Sequence, residues 1–289
     1  MKYGMNLLLW TDDPTLEQWL PLYARLKQMG FDGVELPLMG ATPERLSVLG
    51  RRLDEIGLER TAVNVRSVEE DPISNDASVR AAALAGLEQT IDCAEAVGAS
   101  LLAGPLYAAL GRFSGAGPTS EEWDRGVDVI RQAADHAARS GISLTLEFLN
   151  RFEIYLLNCT ADTVRFVREV DRANVGVHYD TFHAHIEEKD PAAAILAAGH
   201  EITHVHISES DRSTPGQGQV RWAESFDALR RIGYDGWLTI EAFGQALPSL
   251  AAATRIWRSM FEDEEKLSQE GLVFMKTEWE RRAPQERAS

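Results

Sequence analysis

Four acidic or histidine residues end short apolar runs in the second half of the chain, and these residue types can hold a divalent cation. They are Glu147 in LTLEFLN, Asp180 in VHYDTFH, His206 in HVHIS and Glu241 in TIEAF. Consecutive members are 33, 26 and 35 residues apart, which is close to the length of one strand–helix repeat. Any one of them can be an ordinary ion-paired residue, but four successive runs with such an ending favour one shared site.

Three carboxylates and one imidazole form a hard, oxygen-rich set of donors. Such a set favours Mn²⁺, Co²⁺ or Mg²⁺ over structural zinc, which prefers thiolates and more imidazole. A cation of this kind is a Lewis acid that can chelate a carbonyl and a neighbouring hydroxyl of one substrate. Chelation acidifies the C–H bond between them and stabilises the enediolate left by proton loss. We therefore expect one divalent ion, with Mn²⁺ favoured.

The elements that must position these residues alternate along the whole chain. Eight apolar or β-branched runs are separated by amphipathic stretches of helical period, and glycines such as Gly57 and Gly98 stand where helices should end. This order predicts an α/β protein, a closed (β/α)8 TIM barrel. An open doubly wound sheet usually has a glycine-rich phosphate loop after its first strand, where this chain has TDDPT. The predicted strands cover residues 3–10, 33–38, 59–65, 100–107, 143–149, 175–180, 202–208 and 236–243.

No low-complexity linker divides the sequence, so residues 1–262 are predicted to form a single catalytic barrel domain. Residues 263–289 are predicted to form an additional charged helix that packs on the barrel or on a neighbouring subunit. Its last residues, APQERAS, are expected to be frayed. The apolar residues of this helix are Leu267, Leu272, Met275 and Trp279.

In a barrel of this kind the reacting groups come from the carboxyl ends of the strands. Glu147 and Glu241 end the fifth and eighth strands, across the barrel mouth from each other. They can therefore stand on opposite faces of a flat intermediate. Inversion at a carbon atom requires this arrangement, with one base removing the proton and the other returning it.

Four segments together resemble the ketose 3-epimerases, the D-tagatose and D-allulose (psicose) 3-epimerases of the xylose isomerase-like barrel superfamily. The segments are LEFLNRFE, HYDTFHAHIEE, HVHISESDR and YDGWLTIEAF, and they occur in the family's order. The resemblance implies that Glu147, Asp180, His206 and Glu241 bind one divalent ion, usually manganese or cobalt. It also implies that the two glutamates are the catalytic acid and base, and that the enzyme is a homodimer or homotetramer.

The same resemblance assigns three substrate-binding residues. Glu153 matches a glutamate that contacts the sugar hydroxyls beside the metal, and His183 with Arg212 matches the pair that holds the C1–C2 end of the ketose. From the residues alone, Glu153 can instead pair with Arg151, and the other two can be ordinary loop residues. HISESDR departs from the more frequent GE(A/C)NR pattern at Ser210 and Asp211, beside the assigned arginine.

The first half of the barrel is expected to shape substrate specificity, because it forms the wall opposite the predicted metal ligands. Trp10 and Tyr107 end the predicted first and fourth strands, where an aromatic face can pack on sugar carbons; both can also be core or rim aromatics. Glu35 and Asn64 are weaker candidates. This half departs from the best-known family members, which leaves the preferred ketose open.

Composition limits the partners. Asp and Glu number 45 against 29 Lys and Arg, for a net charge of −16, which disfavours nucleic acid and anionic membranes. No apolar run reaches the roughly 18 residues that span a bilayer. The N-terminus does not resemble a signal peptide, and Cys93 and Cys159 have no CxxC spacing. A cytoplasmic protein is expected.

The predicted function is inversion of C3 in a free ketose, such as D-fructose and D-allulose or D-tagatose and D-sorbose. The sequence offers no phosphate cradle, which favours an unphosphorylated sugar. An aldose–ketose isomerase on the same barrel is the main alternative. A non-catalytic sugar-binding barrel is disfavoured because both glutamates are present. An apurinic-site endonuclease on the same barrel is also disfavoured. It would need a cluster of several zinc ions and a basic surface that faces DNA, and this sequence offers neither.

Overall fold

The computed structural model describes residues 1–282, and the predicted frayed segment APQERAS lies outside them. Eight parallel strands pair in chain order and close into a barrel, with β1 beside β8. The prediction of an α/β TIM barrel is therefore confirmed. The strands are β1 Lys2–Asn6, β2 Gly33–Pro37, β3 Glu59–Val63, β4 Leu101–Gly104, β5 Ser143–Glu147, β6 Val175–Asp180, β7 Ile202–Ile207 and β8 Trp237–Ile240.

Ten α-helices occur in the described residues, and most of them lie between consecutive strands. Several end as predicted at a glycine in the left-handed region, including Gly57 with φ 79° and Gly98 with φ 73°, a conformation that glycine adopts without steric cost. The helices are α1 Leu20–Met29, α2 Pro43–Ile56, α3 Ala77–Val97, α4 Ser120–Ala137, α5 Thr160–Val170, α6 Thr181–Glu187, α7 Pro191–Ala198, α8 Trp222–Arg231, α9 Pro248–Thr254 and α10 Glu264–Arg281.

Seven of the eight strands end earlier than the apolar pattern predicts, β1 by four residues and β4 and β8 by three. β1 ends at Asn6, whose side chain accepts a hydrogen bond from the Leu8 amide and begins a 3₁₀ turn over Leu7–Leu9. The three leucines are buried in that turn, so their apolar character reflects burial rather than strand structure. β4 ends at Gly104, three residues before Tyr107. Asn6, rather than Trp10, therefore stands at the carboxyl end of the first strand.

The additional C-terminal helix is present and packs on this chain's own barrel. Leu272, Met275 and Trp279 are buried along one side of α10. A Cβ atom added at Gly271 would lie 2.7 Å from Ile240 Cδ1, so α10 passes close to β8. The buried side of α10 is therefore used within the chain.

None of the helices in residues 1–282 combines the length and the hydropathy that a membrane span needs.

Candidate metal centre

The structure brings Glu147, Asp180, His206 and Glu241 together at the carboxyl ends of four neighbouring strands. Glu147 and Asp180 are the last residues of β5 and β6, His206 is the last but one of β7, and Glu241 directly follows β8. Asp180 and His206 are register partners. All four side chains are buried, and one donor atom from each lies within 4.8 Å of the others. We call these residues the four-donor cluster.

The unpaired atoms of the cluster fit a divalent cation. His206 Nδ1 lies 3.4 Å from Glu241 Oε1, 3.6 Å from Asp180 Oδ2 and 4.0 Å from Glu147 Oε1. Within residues 1–282, His206 Nδ1 and Glu147 Oε1 have no hydrogen-bond partner. Buried polar atoms without a partner cost free energy, and the donor oxygens of the three carboxyl groups lie within 4.8 Å of one another, where like charges repel. A cation that all four donors share would remove both penalties.

The carboxyl groups of the cluster differ in their electrostatic surroundings. Burial, and next the charge of Glu241, raise the pKa of Glu147 well above its ordinary value. Burial also raises the pKa of Asp180, but Arg212 and His206 outweigh it, so that this pKa is lowered. Asp180 is thus held as a carboxylate, whereas Glu147 binds a proton more readily. Carboxyl groups with pKa values shifted in opposite directions are typical of sites that transfer protons.

Arg212 lies directly against the four-donor cluster. Its Nη1 is 2.5 Å from Glu241 Oε2 and 3.4 Å from Asp180 Oδ2. The guanidinium carbon lies 3.9 Å from the ring centre of Phe182 and 4.7 Å from that of Phe243. Arg212 is buried, and its backbone φ is 63°. These contacts fix Arg212 against the four-donor cluster, and its predicted role in substrate binding stays a prediction.

The side chains of His183 and Arg212 face each other with one hydrogen-bond donor each. The Asn150 amide donates to His183 Nδ1 over 3.0 Å, so the ring hydrogen of the neutral imidazole lies on Nε2. Burial and the charge of Arg212 lower the pKa of His183 to about 3, which keeps the ring neutral. Nε2 then faces Arg212 Nη2, itself a donor, at 3.0 Å. Two converging donors cannot satisfy each other, and an oxygen atom placed between them can accept from both.

Glu153 is not paired with Arg151, the alternative that the sequence left open. Arg151 instead makes a bidentate ion pair with Glu187, and Glu153 Oε1 accepts a hydrogen bond from Asn150 Nδ2 over 2.8 Å. Burial raises the pKa of Glu153. The same Asn150 contacts His183 through its backbone, so the loop after β5 connects two of the predicted substrate-binding residues.

The two predicted aromatic contacts are placed differently from the prediction. Tyr107 is fully buried, with its ring centre 5.9 Å from that of Phe166 and its hydroxyl donating to the Leu157 carbonyl. These contacts place the Tyr107 ring in the core, and its predicted contact with the substrate stays a prediction. Trp10 is half-buried, caps the 3₁₀ turn after β1 and packs on the core; its predicted contact with the substrate stays a prediction.

The structure also places beside the cluster three polar residues that the sequence analysis named only as weaker candidates or did not assign. Glu35, Asn6 and His204 are buried beside the four-donor cluster. Asn6 Nδ2 lies 3.2 Å from Glu241 Oε1, and His206 Nε2 lies 2.5 Å from Glu35 Oε1. Each of these residues is a polar side chain within an apolar run of a predicted strand, which a buried strand does not normally carry without partners.

The sequence model of the family described as xylose isomerase-like TIM barrel matches residues 23–278. A ketose 3-epimerase of Arthrobacter globiformis is 32% identical over 96% of both chains. An L-ribulose 3-epimerase of Methylomonas sp. (strain DH-1) is 33% identical over 96% of this chain and 97% of that one. The crystal structure of D-allulose 3-epimerase from Methylomonas sp. in complex with D-allulose superposes with a TM-score of 0.91, at 32% identity, covering 96% of this chain and 97% of that one.

The fold and the strand-end site thus define a xylose isomerase-like TIM barrel. Within that class, the chain belongs to the ketose 3-epimerases, which are carbohydrate isomerases.

Proposed function

We propose that this chain is a metal-dependent epimerase that inverts C3 of a free ketose. The observation that carries the proposal is the pair of buried glutamates, Glu147 and Glu241, that contribute donor atoms to one cluster from the ends of β5 and β8. The relative whose structure was solved with D-allulose supports a free ketose as substrate. D-Fructose with D-allulose, and D-tagatose with D-sorbose, are the proposed substrate pairs.

The cluster is proposed to hold one divalent ion, with Mn²⁺ favoured and Co²⁺ or Mg²⁺ as alternatives. Such an ion supplies Lewis acidity, which lowers the pKa of a C–H bond beside a carbonyl and stabilises negative charge on the sugar oxygens. Glu147 and Glu241 then exchange the proton at C3. One carboxylate removes it from one face, and the other glutamate, in its acid form, returns a proton to the opposite face of the enediolate.

The neighbouring residues orient the sugar in this proposal. The two donors that converge at His183 Nε2 and Arg212 Nη2 are suited to hold one oxygen at the C1–C2 end of the ketose. Glu153 lies on the same loop as Asn150 and can accept a hydrogen bond from a sugar hydroxyl. Fixing the sugar at two points keeps C3 between the glutamates, which lowers the entropic part of the barrier.

A ketose panel tests the reaction. Protein freed of metal by a chelator is incubated with D-fructose, with and without Mn²⁺, and the products are separated by chromatography. We expect no D-allulose without added metal and full restoration by Mn²⁺. Parallel incubations with Co²⁺ and Zn²⁺ should show weaker restoration by Zn²⁺ than by Mn²⁺ or Co²⁺, because the donors are hard. An aldose product would assign the isomerase alternative, and normal turnover by metal-free protein would contradict the site.

Three further points stay predictions. The division into a barrel of residues 1–262 and an extension of residues 263–289 rests on the sequence pattern. Assembly into a homodimer or homotetramer is implied by the family resemblance. A cytoplasmic location rests on composition. Gel filtration with light scattering measures the second of these directly.

A further inference from the structure

A fifth buried carboxylate, Glu35 on β2, lies behind the four-donor cluster, makes hydrogen bonds with three side chains and lies close to a fourth. Its Oε1 is 2.5 Å from His206 Nε2 and 3.0 Å from Asn6 Nδ2. Its Oε2 is 2.8 Å from His204 Nε2 and 2.9 Å from Thr61 Oγ1. Glu35 has no exposed surface. A buried carboxylate with hydrogen bonds to three side chains, on both of its oxygens, is held in one orientation.

The contact between Glu35 and His206 decides which ring nitrogen faces the four-donor cluster. Nε2 lies against Glu35, whereas Nδ1 lies 3.4 Å from Glu241 Oε1 and has no hydrogen-bond partner within residues 1–282. A carboxylate that accepts the Nε2 hydrogen fixes the tautomer in which the Nδ1 lone pair is available. It also makes that lone pair more basic.

We propose that Glu35 is the positioning residue that orients His206 for the divalent ion and thereby sets the affinity of the site. This inference rests on the proposed metal-dependent function. Asn6 extends the effect, because its Nδ2 lies within 3.2 Å of both Glu35 Oε1 and Glu241 Oε1. Two of the four donors are thus oriented from β1 and β2, strands that supply no member of the cluster.

The three buried imidazoles of His178, His204 and His206 offer a competing interpretation, a second metal site. A zinc–nitrogen bond is about 2.0–2.1 Å long, so an ion needs open space between its ligands. Here the Glu35 oxygens already lie at hydrogen-bond distance from nitrogens of His204 and His206. The ring centres of His178 and His206 are only 4.0 Å apart. At His206 Nε2 the geometry favours a direct hydrogen bond to Glu35 over a second ion, whereas both ring nitrogens of His178 and of His204 have no hydrogen-bond partner within residues 1–282.

The test compares Glu35→Gln with the parent protein in binding of Mn²⁺ to metal-free protein, followed by electron paramagnetic resonance. Loss of such an outer carboxylate typically weakens metal binding 10- to 100-fold, and we expect a loss in that range. The visible spectrum of the Co²⁺-loaded variant should also change, because the imidazole is held differently. A residue that only stabilised the fold would alter neither the affinity nor the spectrum of folded protein.

Asp71→Asn is the matched control. Asp71 is a carboxylate of similar burial that accepts from the Ala109 amide and pairs with Arg112. Its neutralisation should lower stability while leaving Mn²⁺ affinity and the Co²⁺ spectrum at parent values. Thr61→Val provides a second variant should Glu35→Gln fail to fold. It removes one donor to Glu35 and should weaken Mn²⁺ binding about fivefold, as loss of one hydrogen bond does.

The outcomes separate this inference from the function on which it rests. If the parent protein binds no divalent ion, the proposed function fails. If the parent binds Mn²⁺ and folded Glu35→Gln binds it equally tightly with an unchanged Co²⁺ spectrum, the role of Glu35 is overturned. If Glu35→Gln does not fold, Mn²⁺ affinity in Thr61→Val equal to that of the parent would overturn the role of Glu35. Two ions per parent chain and one in Glu35→Gln would assign the histidines to a second metal site instead.

Discussion

Arg212 combines a buried charge with a strained backbone. A non-glycine residue in the left-handed region carries a conformational cost of about 1–3 kcal/mol and persists only where its surroundings hold it. Here its amide donates to the Glu209 carbonyl, and its guanidinium lies between two aromatic rings and two carboxylates. Such strain is common at functional sites, which agrees with the proposed contact to the ketose.

Replacement of Arg212 or His183 by alanine should weaken ketose turnover without removing the metal. Loss of a hydrogen bond costs about 1.5–3 kcal/mol for a charged group such as Arg212 and about 0.5–1.5 kcal/mol for a neutral one such as His183. The value of kcat/KM should therefore fall about 10- to 150-fold in Arg212→Ala and about 2- to 13-fold in His183→Ala. Removal of Arg212 also leaves Glu241 and Asp180 more negative, so Mn²⁺ affinity should be retained or increased. Steady-state kinetics and metal titration on the same preparations measure both quantities.

Arg221→Ala is the matched control. This arginine lies close to Arg212 in sequence, its side chain is 54% exposed, and it pairs with Glu224 at the surface. It should behave like the parent protein. Loss of Mn²⁺ from either His183→Ala or Arg212→Ala would place that residue among the metal ligands and contradict the assignment.

The loop between β7 and α8, residues 208–221, is organised around one buried carboxylate. Glu209 accepts hydrogen bonds from the amides of Ser210, Gly216, Gln219 and Val220 and from the indole of Trp222. Burial raises the pKa of Glu209, but these donors outweigh it and the pKa is lowered. A Cβ atom at Gly218 would collide with Glu209 Oε1, so the loop is closely wrapped around the carboxylate. These hydrogen bonds fix the backbone of the loop and therefore the position of Arg212.

Glu209→Gln should disturb this loop while leaving the four-donor cluster in place. The amide nitrogen of glutamine would face N–H donors and leave them unpaired, at about 1–3 kcal/mol for each buried group. We expect kcat/KM for the ketose to fall at least tenfold, with Mn²⁺ affinity close to that of the parent. Proteolysis within residues 208–221 should become faster. Glu224→Gln, on the exposed side of α8, is the control and should behave like the parent. Parent-like kinetics for Glu209→Gln would contradict the claim that Glu209 fixes the loop and Arg212.

The strand-end site could be predicted from sequence because its determinants are local. Each of Glu147, Asp180 and His206 stands at or next to the end of an apolar run, and parallel strands of a barrel end at one face. The structure places each of them within one residue of its strand end. The predicted extents of β1 and β4 were too long, since leucines buried in a 3₁₀ turn and a tyrosine buried against α5 have the same apolar pattern as a strand.

The buried network around Glu35 could not be derived in the same way. Which side of a short strand faces the barrel interior depends on the register with both neighbouring strands, and a one-residue change reverses it. The register pairs Asn6 with Glu35 and Glu35 with Thr61 across three strands. Contacts of this kind join residues distant in sequence, so only the closed barrel shows that these side chains meet.

The last helix, α10, packs on the outside of the barrel beside β8. Trp279 is buried, with its ring centre 6.3 Å from that of Phe226 and 3.8 Å from the Arg230 guanidinium carbon. Trp279→Ala should lower the free energy of unfolding by about 3–5 kcal/mol, as for other large-to-small core changes. Val273→Ala, at a position 59% exposed on the same helix, should change it by less than about 0.5 kcal/mol.

Urea unfolding measures both variants, and ketose kinetics on the folded fraction should stay near parent values. An unfolding free energy for Trp279→Ala equal to that of the parent would mean that α10 does not stabilise the barrel. A large effect of Val273→Ala would instead point to contact of the exposed side of α10 with another subunit.

Inversion of C3 by two glutamates on opposite faces is tested most directly by isotope exchange in D₂O with Glu147→Gln and Glu241→Gln. Each change keeps a ligating oxygen but removes the proton-accepting carboxylate. The metal content of each variant is measured first, because both residues are proposed ligands. Epimerisation should then fall by at least the factor of about 10²–10⁴ that general acid–base catalysis contributes.

Exchange at C3 should persist on one face in each fully metallated variant. The variant that keeps the base facing the C3 hydrogen of D-fructose should incorporate deuterium from D-fructose without forming D-allulose. The other variant should exchange only the C3 hydrogen of D-allulose, which points the opposite way. Near-normal epimerisation by both metallated variants would contradict the two-base mechanism.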